Sequence, residues 1–137
     1  MAGYSQRSLA AKLGIKIGFK MTVLNPPKNY FDLLAPLPGP VRVLKKTAQQ
    51  MDLIHFFTAS RVEYERNLRR LRNSLAPDGM LWISWPKVAS KLSTDMSEHV
   101  VRNFALRNGL VDIKVCAVDE VWSGLKFVIP LKERKGK

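Results

Sequence analysis

The sequence predicts an α/β fold: one three-layer unit built on a sheet of about six strands, mostly parallel, with an antiparallel hairpin at the C-terminal end. Three observations predict it. Strand-like apolar runs alternate with amphipathic helical stripes along the chain. Residues 53–57, Leu-Ile-His-Phe-Phe, form a nearly continuous apolar run, the pattern of a strand covered on both faces. The last two strand-like runs are separated by too few residues for a crossover helix, so they must pair antiparallel. At 137 residues the chain can bury a real core, and a single domain over residues 1–137 is the expectation.

Each element has a local cause. Leu9, Ala10 and Leu13 make a short apolar stripe ended by Gly14, which suits a left-handed cap, so residues 8–13 are expected to form a brief helix. Residues 19–24 read as a strand that stops at Asn25-Pro26-Pro27, because proline cannot donate to a ladder. Tyr30, Phe31, Leu33 and Leu34 suggest a short helix, and residues 41–44 a short strand at an edge. After the strand at 53–57, Ser60-Arg61-Val62-Glu63 has the form of a capping box, and Tyr64, Leu68, Leu71 and Leu75 then give one apolar helical face. Ala76-Pro77-Asp78-Gly79 ends that helix and turns the chain into a strand at 80–85. Thr94 is the expected cap of the next helix, with Asp95 and Glu98 in its first turn and Met96, Val100 and Phe104 as its buried stripe. Gly109 ends it; strands at 111–118 and 125–129 follow, joined by a turn that contains Trp122.

Composition narrows the function classes. Hydrophobic residues are 46% and charged residues 25%, ordinary globular usage that suggests neither disorder nor a membrane protein. No apolar run approaches the roughly 20 residues of a spanning helix, and the N-terminal residues lack a signal-peptide core, so a cytoplasmic location is expected. Cys116 is the only cysteine, which excludes an internal disulfide and a cysteine-based zinc cluster. Twenty-three Lys and Arg against eleven Asp and Glu give +12 and a pI near 10.2, which favours an anionic partner. The charge is concentrated at the ends: residues 1–28 carry +5 and residues 132–137 carry +3, leaving +4 between them. Segments 1–7 and 132–137 are therefore expected to be flexible basic ends, through which nucleic acid could bind.

The order of elements is similar to that of the class I S-adenosylmethionine (SAM) methyltransferases, a Rossmann-like sheet, with one strand-helix unit missing. Leu71, Leu75, Pro77-Asp78-Gly79 and the run 80–83 are similar to that family's helix, proline-glycine turn and fifth strand, and Asp52-Leu53-Ile54 to its preceding strand. More narrowly, Leu13-Gly14-Ile15-Lys16, the segments 76–82 and 84–87, Val115-Cys116-Ala117-Val118-Asp119 and Trp122-Ser123-Gly124-Leu125-Lys126-Phe127 resemble a small bacterial family known only as a domain of unknown function. That second resemblance brings no activity with it.

The methyltransferase resemblance implies a glycine loop after the first strand and an acid at the end of the second, for the cofactor's close approach and its ribose hydroxyls. The sequence instead offers Asn25-Pro26-Pro27-Lys28 and Lys45-Lys46, so no cofactor is expected. Asn25-Pro26-Pro27 is also similar to the Asn-Pro-Pro-aromatic loop of amino methyltransferases, but Lys28 holds the fourth position and Tyr30 comes two residues late.

No catalytic or metal-binding set is expected. His55, inside an apolar strand, reads as a core histidine bonded to a neighbour, and His99 as an exposed helical residue. Cys116 reads as a small packed side chain. There is no Walker loop and no nucleophile elbow. Arg66, Arg69 and Arg70 lie opposite the apolar stripe of their helix, a solvated face or a nucleic-acid surface. Trp82 and Trp85, three apart in a strand, point to opposite faces.

Open parallel sheets bind ligands beyond the carboxyl ends of their strands, where the strand order reverses. Asn25, Tyr30, Thr58 and Ser60 are expected to line that crevice, with Trp85 and Lys87 from the next strand end, and the amides after Ser60 could hold an anion. Trp122, with Lys126 beyond it, reads as a lid on the core or a ligand contact. The expected function is a non-catalytic Rossmann-like module for a small anionic ligand or a protein partner. A nucleic-acid-associated basic protein and a divergent SAM-dependent methyltransferase are the alternatives.

Overall fold

The computed structural model describes residues 8–134; of the expected flexible segments 1–7 and 132–137, residues 1–7 and 135–137 lie outside the described residues. Six strands run β1 (Lys20–Leu24), β2 (Arg42–Leu44), β3 (Met51–Phe57), β4 (Leu75–Pro86), β5 (Val111–Ala117) and β6 (Trp122–Val128). They form one sheet in the order β2-β1-β3-β4-β6-β5. β6 pairs antiparallel with both neighbours, and the other pairings are parallel. The order reverses between β1 and β3, which places the switch point where the methyltransferase resemblance implied it. This is the methyltransferase-like Rossmann order with one strand-helix unit absent beyond β2.

Four helices complete the layers: α1 (Leu9–Leu13), α2 (Tyr30–Leu34), α3 (Arg61–Asn73) and α4 (Glu98–Arg107). Side chains alternate along a strand, so β3 and β4 feed two cores. Leu53, Phe57 and Trp82 pack with Leu9, Leu13, Tyr30 and Leu34 of α1 and α2. Ile54, Phe56, Leu81, Ile83 and Trp85 pack with Tyr64, Leu68, Leu71, Val101 and Ala105 of α3 and α4. Trp82 and Trp85 thus serve opposite faces, and Trp82 Nε1 donates to the Leu13 carbonyl at 3.0 Å, tying α1 to the sheet. Among the described residues no helix is long and apolar enough to cross a membrane.

Several boundaries differ from the sequence reading, each for a local reason. α3 stops at Asn73, so Leu75 belongs to β4, where it pairs with Met51. Residues 76–79 are an irregularity within β4 rather than a turn before it, because the ladder resumes at Leu53 opposite Met80. A Cβ on Gly79 would stand 2.5 Å from the Met51 carbonyl oxygen, so only glycine fits. α4 begins at Glu98, capped by Ser97, whose hydroxyl accepts from the Val100 amide at 3.2 Å. Thr94 instead donates to the Ala59 carbonyl and accepts from the Met96 amide, which fixes the loop before the helix. The buried face of α4 is accordingly Val101 and Ala105, with Val100 and Phe104 only partly covered. β6 starts at Trp122, opposite Pro86, rather than at Leu125. Leu131–Glu133 form a short 3-10 turn, with Glu133 paired to Arg72 and Arg134 donating to the Ile129 carbonyl.

Candidate functional site

At the expected crevice between the ends of β1 and β3, the chain's own polar groups bond to one another. Asn25 adopts a left-handed conformation, φ 57°, and its amide donates to the Phe57 carbonyl at 3.1 Å and to Glu63 Oε2 at 3.4 Å. The Thr58 hydroxyl is buried; it donates to Glu63 Oε1 and accepts from the Ser60 amide. Ser60 caps α3 by accepting from the Glu63 amide at 3.1 Å. Half of the predicted capping box therefore forms directly, and Thr58 relays the other half. The amide of Arg61, available in principle to an anion, already donates to Asp95 Oδ1 at 2.7 Å. The chain's own carboxylate fills the anion position.

The other expected residues disperse. Tyr30 is fully buried, and its hydroxyl lies 3.0 Å from His55 Nδ1. Trp85 is buried against the α3–α4 face. Lys87 donates its backbone amide to the Val121 carbonyl at 2.8 Å, joining the end of β4 to the turn before β6. Lys126 is half-buried opposite Trp82.

His55 carries a further bond, from Nε2 to Ser84 Oγ at 2.8 Å, so a tyrosine-histidine-serine chain spans the interior. Either neutral tautomer satisfies both bonds, one ring nitrogen donating and the other accepting. Complete burial pushes the His55 pKa down to about 3, so the imidazole stays neutral. All three side chains are fully buried, and Ser84 stands against Gly124 and the Trp82 ring. Nothing can reach the serine, so the chain of bonds holds the core rather than a nucleophile.

The open space lies nearby at the same carboxyl edge, on the α1–α2 face. A cavity of about 600 Å³ is lined by Pro27, Asn29, Leu33, Val118 and Trp122, with Lys12 of α1 at its wall. Asp119 shapes the wall from the β5–β6 side: its Oδ1 accepts from the amides of Val121 at 2.8 Å and Trp122 at 2.7 Å. That turn sets the Trp122 ring edge-on to Phe57, with centroids 5.2 Å apart. Of the residues expected to bind a ligand, Trp122 alone lines this cavity. Pro27, Asn29 and Lys12 were missed because they meet the turn only through the sheet. Asp119-Glu120-Val121-Trp122, an Asx turn beside an aromatic, was the local signal available.

No family model matches the sequence, and no curated protein matches it either. Solved structures do match in fold. A SAM-dependent methyltransferase from Aquifex aeolicus superposes with a TM-score of 0.60 at 15% identity, over 88% of this chain and 87% of that one. A TehB-like SAM-dependent methyltransferase from Corynebacterium glutamicum gives 0.53 at 14% identity, over 94% and 91%. Magnesium protoporphyrin IX methyltransferase from Synechocystis, with bound SAM, gives 0.57 at 12%, over 89% and 74%. The fold is that of the methyltransferases. At these identities the likeness is one of fold alone.

Proposed function

We propose that the chain is a non-catalytic, methyltransferase-like module that holds a small organic ligand in the cavity between the β1–α2 loop and the β5–β6 turn. The observation that carries this reading is the cavity itself: about 600 Å³, at the carboxyl edge, walled by Pro27, Leu33, Val118 and Trp122. That volume and an apolar wall with few polar groups are typical of small-molecule sites.

SAM, the cofactor bound in one structural neighbour, does not fit the residues present. A close-approach loop needs open backbone amides, yet Pro26 and Pro27 have none, and Asn25 is pinned to Phe57 and Glu63. Tyr30, directly after the loop, is turned into the core. At the end of β2 the chain presents Lys45 and Lys46, where a ribose would need an acceptor.

The cavity is tested with a neutral fluorescent probe, phenylnaphthylamine. Saturable enhancement is expected with the wild-type protein and its loss with Trp122→Ala. Since Trp122 also packs on Phe57, Ala117→Phe provides a second variant that narrows the cavity from an exposed position. Unchanged probe binding in both variants would exclude the cavity as the site. The second reading, a divergent SAM-dependent methyltransferase, is favoured by the fold neighbours and separated by calorimetry: micromolar binding of SAM or S-adenosylhomocysteine would establish it over the first.

A further inference from the structure

Four lysines gather beside the cavity, whose two acids, Asp119 and Glu120, stand on the β5–β6 turn across from Lys12. Lys114 and Lys126 stand directly opposite each other across β5 and β6, so their side chains share a face. It is the α1 face, because Lys126 also lies opposite Trp82, which packs under α1. Lys126 Nζ lies 4.0 Å from where a Cβ on Gly14 would be, at the left-handed cap that ends α1. The same end of α1 supplies Lys12, in its last turn, and Lys16, two residues beyond the cap.

Like charges directly opposite in a strand pair are destabilising, so neighbouring acids would be the usual remedy. Here the acid on β5 is turned away: Asp112 pairs opposite Phe127, on the α4 face, and binds Arg102 at 2.9 Å. Asp119 is held by the amides of its own turn. Glu65, Glu133, Glu98 and Asp112 are engaged by Arg61, Arg72 and Arg102 rather than by these lysines. Burial, with Lys114 and Lys16 adding to it, lowers the Lys126 pKa from its ordinary value. Lys12 and Lys114 also act together on Cys116, whose thiol burial pushes up. Three elements thus converge on one patch of net positive charge, four lysines beside two acids, and Lys12 belongs both to it and to the cavity wall.

We propose that Lys12, Lys16, Lys114 and Lys126 form an anion subsite for the phosphate groups of a phosphorylated small molecule whose apolar part occupies the adjoining cavity. The inference rests on the cavity reading above. Ammonium groups are compact point charges with several donors each, suited to phosphate oxygens arriving from different directions. A single carboxylate would engage one or two of them; a chain of phosphates matches a patch drawn from three elements.

Sodium triphosphate is the probe, titrated calorimetrically at low ionic strength. Saturable one-to-one binding is expected, and Lys114→Gln with Lys126→Gln should weaken it by about tenfold or more, the size of losing charge-assisted hydrogen bonds. The control removes the same charge elsewhere: Lys45→Gln with Lys132→Gln should leave the affinity within about twofold, since screening leaves distant exposed charges little influence. The first double variant relieves a like-charge pair, so it should melt no lower than the wild type without triphosphate. Equal losses in both double variants, or no saturable binding, would overturn the subsite. So would binding of single-stranded RNA through these lysines without triphosphate binding. The neutral probe of the cavity separates the two readings: triphosphate can fail while that probe still binds, or the reverse.

Discussion

His55 shows how far a single residue's meaning depends on its surroundings. In sequence it is a histidine amid Leu, Ile and Phe; in the fold it is bonded at both ring nitrogens, to Tyr30 and Ser84, and stacked on Phe57 at 4.2 Å. Burial holds its native pKa at about 3 against 6.5 for the exposed group. Between those values the unfolded chain binds a proton that the native state refuses. Stability should therefore be unaffected by this group above pH 6.5 and should fall by about 1.4 kcal/mol per pH unit as pH drops through the window. His55→Gln should lose about 2 kcal/mol at neutral pH through the broken bonds, yet should show a shallower acid slope. Urea unfolding of both proteins above and within the window checks this; parallel slopes would show that His55 already titrates normally in the folded protein.

Elements were legible where their signals were local, and less so where tertiary contacts chose between equals. Ser60 and Gly14 bound their helices as read, since each side chain or backbone conformation acts within one turn. Thr94 and Ser97 are both good caps three residues apart; the contact between Thr94 and the Ala59 carbonyl, across the layer, selects Ser97 and shifts the buried stripe by one residue. Residues 76–79 read as a turn, and the pairings on either side of them, Leu75 with Met51 and Met80 with Leu53, make them an irregularity within a strand. Gly79 is the residue this pairing depends on. Gly79→Ala should cost about 2 kcal/mol or more, because the Cβ would press on the Met51 carbonyl, a backbone atom that can move only with β3. Thermal melting checks it, and a change of a few tenths would mean that the irregularity relaxes freely. The candidate site was least legible for the same reason. Trp122 was visible as an aromatic in a turn, but the cavity exists only because the β1–α2 loop, α1, α2 and the β5–β6 turn meet at one edge. The bonds at the expected crevice join residues too far apart in sequence to associate by reading: Glu63 reaches Asn25, and Asp95 reaches Arg61.

At the scale of the molecule, the alternation of runs was enough for the α/β class and the closing hairpin, whereas the strand order and the missing strand-helix unit were implied by the resemblance to the class I methyltransferases; the sheet has that order, reversing between β1 and β3. Net charge is the whole-molecule property that the fold leaves unbalanced. The chain carries +12, and the four ion pairs among the described residues engage three arginines and four acids. Most of the lysines therefore repel one another at long range, and the patch around Lys126 concentrates that repulsion. Screening should relieve more repulsion than it removes attraction, because exposed ion pairs are each worth at most about 1 kcal/mol. The Debye length shrinks to about 10 Å at 0.1 M salt, so the melting temperature at neutral pH should rise by a few degrees, roughly, from very low to moderate ionic strength. Sodium chloride acts by screening alone. Triphosphate at matched ionic strength should add a further, saturating increase that Lys114→Gln with Lys126→Gln abolishes, while the chloride response stays largely in place. A melting temperature that falls with chloride would mean that ion pairing outweighs repulsion, and would remove the electrostatic reason for an anion to settle on this face.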